Sequence, residues 1–160
     1  RIAGGKVIAL DVNEARLQFC RKTLDIPYTV NPANENAIEA IKLITGGDMA
    51  SVVIDATGNL NAINSGINYL AHGGRYVLIG RQKEAFSFSH PEFHKRESTL
   101  MSSRNATPDD FEFVIDCLKT GKVKAENYIT HRAGFDQLKD EFSQWLDPAN
   151  GVIKASVGVD

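Results

Sequence analysis

Three short apolar runs constrain the fold of this chain more than any other feature. Lys6 to Leu10 ends at Asp11, Ser51 to Ile54 ends at Asp55, and Arg75 to Ile79 ends at Gly80. Each run is continuous where a half-buried strand would alternate, which marks strands covered on both faces. Helical patterns separate them. Asn13 can cap a helix to about Leu24 with Leu17, Cys20 and Leu24 on one face. Tyr28-Thr29-Val30 reads as a short strand, and Asn36 to Thr45 as a second amphipathic helix closed by Gly46-Gly47. Asn59 or Asn61 can cap a third, running to Leu70 before the His72-Gly73-Gly74 turn. Strand and helix in alternation predict an α/β fold, a doubly wound parallel sheet with helices on both faces.

The pattern changes after Gly80. Phe86-Ser87-Phe88 alternates and predicts an edge strand; Pro91 to Glu97 predicts a short helix and Thr99 to Ser103 another strand. Thr107 caps a strong helix with Pro108 at its first position and Asp109 and Asp110 in its first turn, ending at Gly121. A segment from Ile129 to Arg132, a helix from Asp136 to Leu146 and a strand from Val152 to Val159 complete an α+β tail.

Composition narrows the function. The chain has 160 residues, 42% hydrophobic and 24% charged, an ordinary balance for a globular domain. A net charge of −2 with dispersed basic residues gives no footprint for nucleic acid or an anionic membrane. No apolar stretch is long enough to span a bilayer. Cys20 and Cys117 stand alone in helical patterns, which fits a reducing, cytoplasmic setting. The opening Arg1-Ile2-Ala3-Gly4-Gly5 reads as a helix end running into a turn, so further residues are expected before it.

Chemistry concentrates at the strand ends. Asp11, at the carboxyl end of a buried strand, is where nucleotide-binding sheets place an acid that accepts hydrogen bonds from ribose hydroxyls and repels a 2′-phosphate. The same position equally suits an acid capping the next helix. Arg16 suits either an adenine ring or a solvated helix face. Ile54-Asp55-Ala56-Thr57-Gly58-Asn59 and Val77-Leu78-Ile79-Gly80 end their strands in small residues that let backbone approach a ligand. Together the three ends mark the crevice where open α/β sheets bind ligands. No Gly-rich phosphate loop precedes Lys6, so a dinucleotide site would be incomplete in these residues alone. His72, His90, His94 and His131 show no metal-ligand spacing; His90 and His94 can share a helix face, but no carboxylate or thiol completes a set. Ser102-Ser103 lacks the context of a hydrolase nucleophile.

Taken together, Val7-Ile8-Ala9-Leu10-Asp11, Val53-Ile54-Asp55-Ala56-Thr57-Gly58, His72-Gly73-Gly74 and Val77-Leu78-Ile79-Gly80 resemble the zinc-containing medium-chain alcohol and polyol dehydrogenases in order and interval. Phe88 to Glu97, Ser103 to Phe111 and Thr130-His131-Arg132 resemble the polyol and sugar-acid branch, closest to enzymes that oxidise L-galactonate or L-gulonate. The resemblance implies a Rossmann NAD-binding domain over residues 1–104, without its first strand and Gly-rich loop, and a segment 105–160 that returns to a catalytic domain. It implies hydride transfer between a polyol or sugar-acid alcohol and NAD, aided by a zinc whose ligands lie in an amino-terminal domain, so no catalytic or metal residue is expected here. By resemblance Asp11 binds the adenosine ribose, Arg16 lies beside adenine, and Thr57 and Gly58 line the adenosine side. Leu78, Ile79 and Gly80 face the nicotinamide, Ser103 and Arg104 its carboxamide and the substrate, and Lys154 the pyrophosphate. A dimer or tetramer is implied, with Phe86 to Phe88 near the edge that pairs between subunits. The omitted strand belongs between those ending at Asp11 and Asp55, which predicts unpaired edges there. A non-catalytic NAD-binding module and a Rossmann-like methyltransferase are the alternatives.

Overall fold

The structure, a computed structural model, describes residues 1–159. It is α/β, with strands β1 (Ile8–Leu10), β2 (Tyr28–Val30), β3 (Ala50–Asp55), β4 (Leu70–Leu78), β5 (Thr99–Ser102), β6 (Ile129–Gly134) and β7 (Lys154–Gly158). The helices are α1 (Glu14–Lys22), α2 (Ala37–Thr45), α3 (Leu60–Gly66), α4 (His90–Lys95), α5 (Pro108–Lys119) and α6 (Leu138–Trp145). The chain divides into two compact units, one of Arg1–Thr29 with Ala106–Asp160 and one of Val30–Asn105.

In the unit of residues 30–105, β3, β4 and β5 form a three-stranded sheet in that order. Both pairings are parallel, and the register sets Asp55 opposite Leu78 and Leu78 opposite Ser102. The carboxyl ends of all three strands therefore lie in line. α3 starts at Asn59, whose side chain accepts from the backbone of Asn61 and Ala62, and α2 starts the same way at Asn36. α2 stops at Gly46, held at φ 69, a left-handed conformation that costs glycine little.

The core of this unit forms around Tyr76, Leu70 and Ile67, with Val53, Leu78, Phe93 and Leu100 packed against them. The Tyr76 hydroxyl donates to the carbonyl of Ile63 at 2.8 Å. Its ring occupies the place a side chain would need at Gly66, where a Cβ would lie 2.3 Å from the hydroxyl oxygen. There α3 ends, four residues before the expected end at Leu70, and a 3₁₀ turn, Ile67–Tyr69, takes over.

Two expectations for these residues are corrected. Phe86-Ser87-Phe88 is not a strand. The Ser87 backbone N–H donates to the Asn64 side chain at 2.9 Å instead of to a strand partner. The Phe86 ring lies against Phe88, and Phe88 against Phe93 with centroids 5.1 Å apart. Nor is β3 buried on both faces: Val52 and Ile54 are 49% and 59% exposed. Among the described residues β3 pairs only with β4, so its other edge has no partner.

In the other unit, β1 is hydrogen-bonded to β2, and β6 pairs parallel with β7. Asn13 caps α1, accepting from the backbone of Ala15 and Arg16. Leu17 and Cys117 are buried, and Phe19 meets Tyr128 edge-on with centroids 6.1 Å apart. Thr107 and Asp110 form a reciprocal capping box at the start of α5. Only Cys117 of that helix is buried, and Phe111, Phe113, Val114 and Ile115 are exposed.

Two measurements check this account. Tyr76→Phe leaves the Ile63 carbonyl buried without its donor and is expected to cost about 1–2 kcal/mol in denaturant unfolding. Thr107 donates to Asp110 through its backbone and its hydroxyl, which holds that carboxyl below its ordinary value of 3.8. A depressed folded value stabilises above the unfolded one and fades as pH falls through the folded one. The gap in thermal midpoint between wild type and Asp110→Asn is therefore expected to be constant near neutrality and to close in acid, below the ordinary carboxylate value.

Candidate nucleotide site at the strand ends

The turn after β1 separates the two readings that the sequence leaves open for Asp11. Asn13, not Asp11, caps α1. The Asp11 carboxylate accepts a hydrogen bond from the Asn13 backbone at 2.8 Å, and its second oxygen lies 3.6 Å from the Arg16 guanidinium. The Asp11 side chain is 27% exposed, so it retains acceptor capacity facing solvent. Arg16 is mostly exposed, held near the acid by one turn of helix.

Beside these residues, in the same unit, lies a cavity of ≈ 400 Å³. α1 lines it with Asn13, Arg16, Phe19 and Lys22, and the C-terminal segment with Trp145 and Ile153. Two cations and one carboxylate, Asp147, stand at its opening with the Phe19 ring and the Trp145 indole, a lining that suits a planar, polar ligand. Lys154 follows Ile153 at the exposed start of β7, where its carbonyl accepts from the Thr130 hydroxyl at 3.4 Å.

The unit of residues 30–105 brings Thr57, Gly58, Leu78, Ile79, Gly80 and Ser103 to the carboxyl ends of β3, β4 and β5. The backbone N–H groups of Ile79 and Gly80 both donate to the Asp55 carbonyl, at 2.8 and 2.9 Å. Ser103 N–H donates to the Leu78 carbonyl at 3.0 Å, and Arg104 follows it, exposed. The two turns touch so closely that both need glycine. A Cβ at Gly80 would lie 2.3 Å from the Gly58 nitrogen, and one at Gly58, where φ is +62, would lie 2.6 Å from the Arg81 carbonyl oxygen. Asp55 is the residue that reading the sequence left without a role. It is 6% exposed, and its carboxylate accepts from the Thr57 hydroxyl at 2.6 Å and from Gly58 N–H at 3.3 Å. The signal was the Asp-x-Thr-Gly spacing, which suits a side chain that folds back on its own turn. Burial pushes the Tyr76 phenol above its ordinary value, and the Asp55 carboxylate and Tyr69 add to the shift.

His90 and His94 do share a face of α4, with ring centroids 5.9 Å apart. Among the described residues no group of three or more His, Cys, Asp or Glu side chains is placed to hold a metal ion. The donor set of the described residues therefore does not fit a zinc centre. Among the described residues no helix is long and apolar enough to cross a membrane.

A family profile described as zinc-binding dehydrogenase matches residues 1–120. The chain belongs to that family. It is similar to the L-galactonate-5-dehydrogenase of Escherichia coli, 39% identical over 154 residues, which cover 96% of this chain and 45% of that protein. It is similar also to the probable D-xylulose reductase A of Aspergillus niger, 30% identical, with 97% of this chain and 44% of that protein covered. In fold it matches an E. coli oxidoreductase of unknown specificity with a TM-score of 0.89 at 20% identity, covering 98% of this chain and 45% of that one. An E. coli alcohol dehydrogenase crystallised with NADH matches with a TM-score of 0.77 at 24% identity, covering 95% and 43%. The chain thus spans less than half the length of these relatives. The family match removes the methyltransferase alternative.

Gly80→Ala is expected to destabilise the protein by about 1–3 kcal/mol, since the obstacle is backbone and cannot swing aside. Chemical unfolding of the variant beside wild type measures it.

Proposed function

We propose that this chain is the nucleotide-binding part of an NAD-dependent polyol or sugar-acid dehydrogenase, with residues 1–104 as its Rossmann portion and 105–160 as a segment that returns to a catalytic domain. The observation that carries the reading is Asp11: a half-buried carboxylate at a strand's carboxyl end, freed from capping by Asn13 and left with acceptor capacity. Two adjacent ribose hydroxyls match such a carboxylate, whereas a 2′-phosphate meets its negative charge. Arg16, beside the cavity, lies along the adenine, and Lys154 balances pyrophosphate charge. Thr57 and Gly58 line the adenosine side. Leu78, Ile79 and Gly80 offer backbone and apolar surface to the nicotinamide, with Ser103 and Arg104 toward its carboxamide and the substrate.

The bound nicotinamide supplies the hydride acceptor. The role of this chain is to hold it, orient one face and keep water away, while substrate-oxygen chemistry belongs to a zinc held outside these residues. The similarity to an L-galactonate-5-dehydrogenase favours a sugar-acid substrate. Assembly as a homodimer or homotetramer, with residues 86–88 near the subunit edge, and a cytoplasmic setting, which the free thiols of Cys20 and Cys117 suit, complete the proposal.

Calorimetric titration of the full-length dehydrogenase with NAD and NADP, followed by assay on aldonates and polyols, tests it. NAD is expected to bind more tightly than NADP. Asp11→Ala is expected to weaken NAD about ten- to a hundredfold, the loss of a pair of charge-assisted hydrogen bonds, and to narrow the gap to NADP. NAD binding without turnover on any alcohol would instead favour a non-catalytic NAD-binding module. Equal affinity of wild type and Asp11→Ala for NAD defeats the site assignment.

A further inference from the structure

Asp55 stands outside every role assigned so far, yet both turns of the candidate site in residues 30–105 hang on it. Its main-chain carbonyl accepts from Ile79 and Gly80. Its carboxylate oxygens accept separately, Oδ1 from the Thr57 hydroxyl and Oδ2 from Gly58 N–H. The Thr57 hydroxyl in turn accepts from Asn59 N–H at 3.0 Å, and the Asn59 side chain caps α3. Oδ2 also lies beside the β4 turn, so close that a Cβ at Gly80 would come within 2.8 Å of it. One buried residue thus fixes the spacing between the Thr57-Gly58 turn and the Ile79-Gly80 turn.

We infer that Asp55 is a positioning residue for the nicotinamide dinucleotide, holding these two turns at the separation that bound cofactor requires. The inference rests on the proposed NAD site and adds to it a residue that does not touch the ligand. A carboxylate suits the task because two donors converge on it from one turn, and each needs an acceptor. An amide of the same shape has one acceptor oxygen, so either the Thr57 hydroxyl or Gly58 N–H would face an NH₂ group. The turn that the carboxylate itself holds, Thr57-Gly58, is the one assigned to the adenosine side, so its displacement loses affinity for a rigid ligand away from the reacting carbon and leaves kcat at saturating NAD largely intact.

The test uses the full-length dehydrogenase with two variants, Asp55→Asn and Asp55→Ser, and reads NAD affinity by titration, and KM for NAD and kcat at saturating NAD by assay. Asp55→Asn is expected to raise Kd and KM for NAD about tenfold, the equivalent of one charge-assisted hydrogen bond, with kcat changed less than about twofold. Asp55→Ser, whose short side chain cannot reach both donors, is expected to shift Kd and KM the same way, with kcat again changed less than about twofold. If Asp55→Asn does not fold, Asp55→Ser decides: weakened NAD binding at unchanged kcat supports the role, and wild-type affinity overturns it. Wild-type NAD affinity in a folded Asp55→Asn overturns it, as does loss of kcat and affinity together, the mark of general damage. A wild-type enzyme that binds no NAD overturns the nucleotide site itself and this role with it, an outcome distinct from unchanged variants of an NAD-binding enzyme.

Discussion

The parallel register of β3, β4 and β5 is the constraint from which the chemistry of residues 30–105 follows. Because Asp55, Leu78 and Ser102 stand side by side across the sheet, every turn that leaves a strand does so at one edge. A parallel ladder places like ends together, and an open α/β sheet offers its ligand surface there and nowhere else. The register is secured by Tyr76, Leu70 and Ile67, packed against Val53, Leu100 and, at the strand end itself, Leu78.

Some of this was legible in the sequence and some was not, for physical reasons. The three apolar runs became β1, β3 and β4, and Asn13, Asn36, Asn59 and Thr107 cap their helices as residues with short polar side chains do. These are local effects, complete within a few residues of chain. The failures are non-local. Position 66, where α3 ends, takes only glycine because a tyrosine ten residues later fills the space beside it. Phe86-Ser87-Phe88 alternates like a strand, but a distant asparagine takes its backbone donor.

The candidate site divides along the same line. Asp11, Thr57, Gly58 and Gly80 could be named from their places at strand ends, since a carboxylate or a glycine after an apolar run has few uses. The Asp-x-Thr-Gly spacing suits an Asp55 carboxylate that folds back on its own turn, but the link to the Ile79-Gly80 turn, through the Asp55 carbonyl, forms only in the folded chain. Exposure of Val52 and Ile54 was equally hidden: whether a strand is covered is a property of its neighbours, not of its own residues.

Asp11 and Asp55 end two strands in the same manner, and each is followed by a turn and an asparagine-capped helix. They differ in what their oxygens have left to give. One spends its hydrogen-bonding on its own chain and so behaves as mortar. The other, held by Asn13 N–H and beside Arg16, still shows part of its surface to solvent. On the reading proposed for Asp11, the same amino acid at the same kind of junction supplies rigidity at one place and selectivity at another, and the two properties can change independently of each other.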